Sequence, residues 1–206
     1  MTGSGQFAPS ARNIVAVAVP CGALIAVDIW LGVTRDQRPW PMLVSDVALG
    51  ACFVLAGVVA WRLRPRSRTG LLMLLLGTVM LLANPYGYEL APDTPAATAI
   101  GVIGAPMYWL QFALAGHLLL SYPSGRLVRG SPEAALIIGC YALVGVTVGV
   151  KAAVHGTGAA APVTVAVTVA WTALAAVAGG LLLRRFMRAP PLPWTAAFTP
   201  TVTPTS

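Results

Sequence analysis

Long runs of apolar residues alternate along the chain with short segments punctuated by Pro, Gly and Arg. Because a helix needs about 20 apolar residues to cross a bilayer, each run predicts one membrane-spanning helix. The predicted helices lie at about 13–33, 43–61, 70–90, 97–121, 134–154 and 162–183. We expect the internal prolines Pro20, Pro85 and Pro106 to kink these helices rather than end them, because neighbouring helices can satisfy the freed carbonyls.

The amino-acid composition agrees with this pattern. Of the 206 residues, 57% are hydrophobic and only 9% are charged, whereas a soluble domain carries about 25% charged residues. The mean hydropathy is +0.79. The sequence therefore predicts an all-α integral membrane protein, a six-helix transmembrane bundle with short loops and no soluble domain.

The basic residues are distributed unevenly between the two sides of the predicted bundle. With the N-terminus inside, Arg35, Arg38 and Lys151 fall on the outer side. The other ten of the 13 basic residues fall in cytoplasmic segments: Arg12, Arg62, Arg64, Arg66, Arg68, Arg126, Arg129, Arg184, Arg185 and Arg188. This bias predicts that both termini are cytoplasmic and that the chain is a multi-pass protein of the plasma membrane. The clusters would lie against anionic inner-leaflet lipids, and their division between spans argues against nucleic acid as a partner.

The composition also divides the chain into three parts. Residues 1–12 form a short N-terminal cytoplasmic segment, and residues 13–188 form the six-helix domain. Residues 189–206 are rich in Pro and Thr and carry no charge. Such a segment has no periodic apolar face to bury, so we expect it to be a disordered tail.

Two motifs at predicted cytoplasmic hairpins, with a third at the last exit, point to a family. "LLLSYPSGRL" (118–127) ends the fourth helix in a turn of Pro123, Ser124, Gly125 and Arg126, and "WRLRPRSRTGLLMLLLG" (61–77) leads into the third helix. Both resemble signatures in the membrane region of sensor histidine kinases from actinobacteria. The exit "LLLRRFMR" (181–188) resembles the basic end of that region.

This resemblance implies a membrane-embedded sensory and signal-transduction region of a two-component system, truncated before its catalytic domain. The signal would leave through the sixth helix and its arginines Arg184, Arg185 and Arg188. The partner would be a second copy of the chain, as a homodimer, or a separate kinase or response protein. Neither His117 nor His155 has the surroundings of a phosphoacceptor, and no ATP-binding motif is present. We therefore expect no enzymatic activity, no catalytic residue, no cofactor and no metal.

Two other functions remain compatible with the sequence. The first is a small transporter or a transporter's membrane subunit, although no internal repeat is evident and no charge lies at mid-bilayer in paired halves. The second is an inert product of a frameshifted gene, which the abrupt change into the Thr/Pro tail suggests.

Acidic residues gather near the predicted outer side, where Asp28, Asp46 and Glu89 lie close to helix ends. A charge within a membrane helix costs about 2.5–3.5 kcal/mol at mid-bilayer on insertion scales, so each is a candidate functional residue. They would either extend to water from the helix ends or form a polar outer-facing pocket. Such a pocket would sense a cation, a pH change or a small cationic amphiphile. A structural ion pair, of Asp28 with an arginine or of Glu89 with Lys151, is a further alternative.

Small residues spaced four apart occur in the last two helices, at 145–149 ("GVTVG") and at Ala176 and Gly180. Such pairs allow close helix contact. They would either pack within the chain or mediate a homodimer.

Overall fold

The computed structural model describes residues 11–35, 39–88, 94–154 and 157–188. These residues form helices and loops without a strand. The helices are α1 (Ala11–Arg35), α2 (Trp40–Leu63), α3 (Thr69–Ala83), α4 (Pro95–Ser121), α5 (Pro132–Ala153) and α6 (Ala160–Arg188), with a 3₁₀ turn at Asn84–Gly87. Six segments, α3 counted together with its 3₁₀ turn, are long and apolar enough to span a membrane. The prediction of an all-helical fold with six segments able to span a membrane is thus confirmed for the described residues.

The sequence explains several of the helix boundaries. Thr94 and Ser131 each cap a helix by accepting a hydrogen bond of 3.1 Å from a backbone amide, and each is followed by a proline at the first helical position. That arrangement satisfies an amide that has no partner within the helix. Pro20 and Pro106 lie within α1 and α4, which continue through them as predicted.

The expectation for Pro85 is wrong. Helix α3 ends at Ala83, and Pro85 belongs to the 3₁₀ turn that follows. Proline has no backbone N–H, and its ring clashes with the carbonyl four residues earlier. Here the chain changes to the tighter turn instead of kinking.

Helix α3 lies at the centre of the bundle and α6 at its edge. Half of the α3 span is buried by other parts of the chain, but only 6% of the α6 span. The main core cluster joins Leu72, Leu76 and Val79 of α3 to Leu114 of α4. The position of α6 therefore depends on few contacts with the rest of the bundle.

Helices α2 and α3 meet along four glycines, Gly50 and Gly57 facing Gly70 and Gly77. A Cβ added at Gly57 would lie 2.5 Å from the Leu74 amide nitrogen, and one at Gly77 would lie 2.6 Å from the Gly50 carbonyl oxygen. The glycines in each helix are seven residues apart, so they stay on one face. We call this contact the glycine seam.

The small-residue pairs singled out in the sequence lie elsewhere. A Cβ added at Gly145, Gly149 or Gly180 would meet nothing within 4 Å, and Ala176 is exposed. The expectation that these pairs pack within the chain is wrong. The close contacts are made instead by glycines spaced seven apart, which a search for four-residue spacing passes over.

Candidate functional site

The turn after α4, residues 121–126, is the most heavily hydrogen-bonded loop of the described chain, and we call it the Pro123 turn. The Gly125 amide donates to the Ser121 carbonyl at 2.9 Å, and the Arg126 amide donates to the Ser124 hydroxyl at 3.2 Å. The Tyr122–Pro123 peptide is cis, and Gly125 has a φ of 68°. A positive φ strains any residue with a Cβ, so the turn requires glycine at this position.

The Pro123 turn is docked on the start of α3. The Thr69 hydroxyl donates to the Pro123 carbonyl at 2.7 Å, and the Arg68 amide donates to the Ser124 carbonyl at 3.2 Å. The Ser67 hydroxyl lies 3.1 Å from the same Pro123 oxygen. The two motifs that carry the family resemblance therefore form a single hydrogen-bonded contact. Carbonyls beyond a helix end need such partners, because the helix itself provides none.

Arg185 of α6 binds the end of α4 and the start of the same turn. Its guanidinium donates to the Leu120 carbonyl at 3.3 Å and to the Tyr122 carbonyl at 2.8 Å. Both oxygens belong to the end of α4, where carbonyls lack helical partners. An arginine can serve two acceptors at once because its donors form a planar fork. Arg185 thus ties α6 to the α3–α4 junction.

Other arginines lie at the same end of the bundle as this contact. We call this end of the bundle the arginine end, since the following side chains are exposed there: Arg62, Arg64, Arg66, Arg68, Arg126, Arg129, Arg184 and Arg185. The side chain of Arg188 lies outside the described part. A membrane surface with anionic headgroups is the environment that such a cluster favours.

A cavity of about 640 Å³ opens at the other end, between α2, the end of α3 with its 3₁₀ turn, and α4. We call this the cavity end. Its wall contains Asp46, Asn84, Tyr86, Tyr108, Gln111 and Phe112, together with aliphatic residues. The volume lies within the range of about 300–1,000 Å³ typical of small-molecule sites. Asp46, Asn84 and Gln111 give polar groups to a wall that is otherwise largely apolar.

The three acidic candidates do not form one pocket in the described residues. Asp46 is half-buried and lines the cavity. Asp28 is 0% exposed and is not among the cavity-lining residues. Glu89 lies outside the described residues. Of these three, only Asp46 is described as facing a space that a ligand could occupy.

Asp28 belongs to a polar contact between helices. The Asn84 side-chain amide donates to its Oδ2 at 3.2 Å, joining α1 to the 3₁₀ turn after α3. The expectation that Asp28 reaches water from the helix end is wrong. Because α1 turns this face inward, with Cys21 and Leu31 also buried on it, the carboxyl group lies inside the bundle.

We expect this contact to stabilise the bundle. In a double-mutant cycle of Asp28→Ala and Asn84→Ala, the two positions should couple by about 1 kcal/mol or more in the free energy of unfolding. Thermal unfolding of the four purified variants in one detergent measures this coupling. Ser45→Ala, on the exposed face of α2, provides a control. Strictly additive losses would show that the two side chains do not support each other.

Aromatic residues connect the cavity to α6. Phe112, in the cavity wall, lies 6.0 Å from the Trp171 ring of α6 between centroids. Trp171 also stacks on Trp109 of α4 at 5.7 Å and donates to the Thr147 hydroxyl of α5 at 3.4 Å. Lys151 lies over the Trp109 ring, with Nζ 5.2 Å from the ring centroid. We call Trp109, Phe112 and Trp171 the aromatic cluster.

Comparisons of the chain with protein-family models, curated proteins and solved structures found no match. The resemblance to the membrane region of sensor histidine kinases therefore stays a prediction based on its motifs. What the geometry adds is the contact between those motifs. Sequence reasoning selected the turn residues and Asp28, but it did not identify Ser67 and Thr69 as partners of the turn, or Asn84 as the partner of Asp28.

Proposed function

We propose that this chain is a membrane-embedded sensory region of the two-component type, with no catalysis of its own. Both termini would lie in the cytoplasm, the arginine end against the inner leaflet of the plasma membrane, and the cavity towards the outer side. Occupancy of the cavity would shift α4, and α6 would carry that shift to an attached or docked signalling protein. Arg184, Arg185 and Arg188 would couple the helix to that protein.

The observation that carries this proposal is that α6 contacts α4 at two separate places. Trp171 packs on Trp109 and Phe112 near the cavity. Arg185 binds the carbonyls at the far end of the same helix. A change in the cavity wall could therefore reach α6 through direct contacts with α4 at both of these places. Packed side chains and hydrogen bonds of this kind can carry coupling between distant sites.

The bonds of Arg185 provide the test. In membranes from cells that produce the chain, phosphorylation of a histidine kinase or of the kinase's response partner should depend on the presence of the chain. Arg185→Gln should change that phosphorylation severalfold, because α6 loses its tie to the turn. Arg129→Gln removes the same charge from another exposed position at this end of the bundle while leaving the bonds of Arg185 in place, and it should leave the signal nearly unchanged.

A different result would favour the alternative function. If phosphorylation is the same with and without the chain, and proteoliposomes containing only the chain take up a solute, the protein is a transporter. Equal effects of Arg129→Gln and Arg185→Gln would reduce the arginines to a general role in topology. Hydrogen exchange of the Gly125 amide reports separately whether Arg185→Gln has loosened the turn.

A further inference from the structure

The wall of the cavity combines aromatic faces with a carboxylate. Tyr108 lies 6.1 Å from Tyr86 and 5.7 Å from Phe112 between ring centroids, so three rings form a continuous surface. All three side chains line the cavity and are 40–47% exposed. Among the described residues that line it, Asp46 is the only charged one. Aromatic faces carry negative potential and attract cations within about 6 Å of the ring centroid.

The negative charge of the Asp46 carboxylate disfavours an anion beside it, and the rest of the wall disfavours metal ions. No group of three His, Cys, Asp or Glu side chains in the described ranges could hold a metal. Leu49, Leu76 and Met80 also line the cavity, and beside such side chains a hydrated ion would lose water without gaining ligands. A ligand with apolar substituents, by contrast, would gain free energy by burying them against these aliphatic side chains.

The neighbouring aromatic cluster already holds a cation of the protein itself. The Lys151 ammonium lies over Trp109, whose ring is 5.3 Å from Tyr108 in an edge-to-face contact. The cluster is therefore electrostatically suited to positive charge on the α5 side. The cavity side presents the same type of surface, with the Asp46 carboxylate added.

We propose that the cavity binds a lipophilic organic cation, whose charge lies by Asp46 and whose apolar groups pack against Tyr86, Tyr108 and Phe112. This proposal names the class of ligand that would occupy the cavity in the proposed sensory function. It rests on that function only for the effect of binding on α6. The ligand enters from the bilayer or its outer surface, where such cations concentrate. Binding requires no covalent step.

The test uses two ions of the same shape and opposite charge, tetraphenylphosphonium and tetraphenylborate. Saturable binding of each is measured on the purified full chain in nanodiscs of zwitterionic lipid, with empty nanodiscs subtracted. We expect the wild-type chain to bind the phosphonium with a stoichiometry near one and to show no saturable binding of the borate. Asp46→Asn should weaken phosphonium binding about tenfold, while Asp46→Glu should retain most of it.

Two further variants separate charge from folding. Glu133→Gln removes one carboxylate from the first turn of α5, at the arginine end, and should bind like the wild type. Tyr86→Leu removes a ring and keeps an apolar side chain, so it should weaken the phosphonium severalfold. Thermal unfolding of each variant shows whether a loss of binding reflects a loss of structure.

The possible outcomes are distinct. Equal binding of both ions, unchanged affinity in Asp46→Asn, or no saturable phosphonium binding would each overturn the proposal. If the cation binds as expected but changes neither the hydrogen exchange of the Pro123 turn nor kinase phosphorylation, the ligand class stands and the sensory function fails. If Arg185→Gln alters phosphorylation but no cation binds, the sensory function stands and the ligand class fails.

Discussion

Gly57→Leu is expected to separate α2 from α3 and to destabilise the protein by about 3 kcal/mol or more, the upper part of the range for overpacked interiors. A Cβ at this position would lie 2.5 Å from the Leu74 nitrogen and 2.8 Å from the Gly70 carbonyl oxygen. Backbone atoms within a helix cannot move aside as a flexible side chain can. Gly77→Leu should have a similar effect, because it meets the backbone of Gly50 and Val54.

The same substitution in an open position provides the control. Gly145→Leu and Gly139→Leu add the same side chain to α5, where a Cβ meets nothing within 4 Å. Thermal unfolding in detergent should give midpoints close to the wild type for these two and a strongly lowered midpoint for Gly57→Leu. If all of these variants unfold alike, the glycine seam does not hold the hairpin together. If Gly145→Leu instead abolishes a dimer, the exposed pair serves an interface between copies.

Gly125→Ala is the second large effect that we expect, at about 2–4 kcal/mol. Two causes combine. The φ of 68° disfavours any residue with a Cβ, and the added carbon would clash with the Thr69 amide and lie 2.6 Å from the Arg68 carbonyl carbon. The turn would have to move away from α3, and Thr69 would lose its acceptor on Pro123.

Gly130→Ala separates the two causes. Gly130 also has a positive φ, of 78°, but a Cβ there meets nothing within 4 Å, so we expect a loss of only about 1 kcal/mol. The difference between the two variants measures the docking of the turn on α3. Unfolding of both, together with hydrogen exchange of the Arg68 amide, provides that comparison. Equal losses would mean that the contact between the two motifs adds nothing beyond backbone strain.

The hydrophobic pattern was sufficient to predict the number of helices and most of their limits. Runs of about 20 apolar residues have few alternatives to a spanning helix, and Thr94 and Ser131 mark helix starts by their chemistry. The third helix is predicted to continue to residue 90, but α3 ends at Ala83, because Pro85 changes the backbone hydrogen bonding there. Which way the bundle faces in the membrane remains a prediction from the arginines.

The site was harder to predict because it depends on which faces meet. Nothing in the local sequence distinguishes Asp28, buried in the bundle, from Asp46, on the cavity wall, since both lie among apolar residues near helix ends. The same holds for the glycines, as only the packing of α2 on α3 shows why Gly57 matters and Gly145 does not. By contrast, the Pro123 turn was visible in the sequence, because Pro and Gly restrict the backbone locally.

The length of α6 has a consequence for how the protein would respond to its lipid. Its apolar stretch from Ala160 to Leu183, 24 residues before the first arginine, corresponds to about 36 Å of helix, compared with about 30 Å of hydrocarbon. Such a helix tilts to fit, and the tilt changes with bilayer thickness. Few packed neighbours resist that change along α6, whereas the glycine seam holds α2 and α3 together. A thinner or thicker membrane would therefore shift Arg185 relative to the carbonyls that it binds. Bilayers made from lipids of graded chain length would measure the size of this shift.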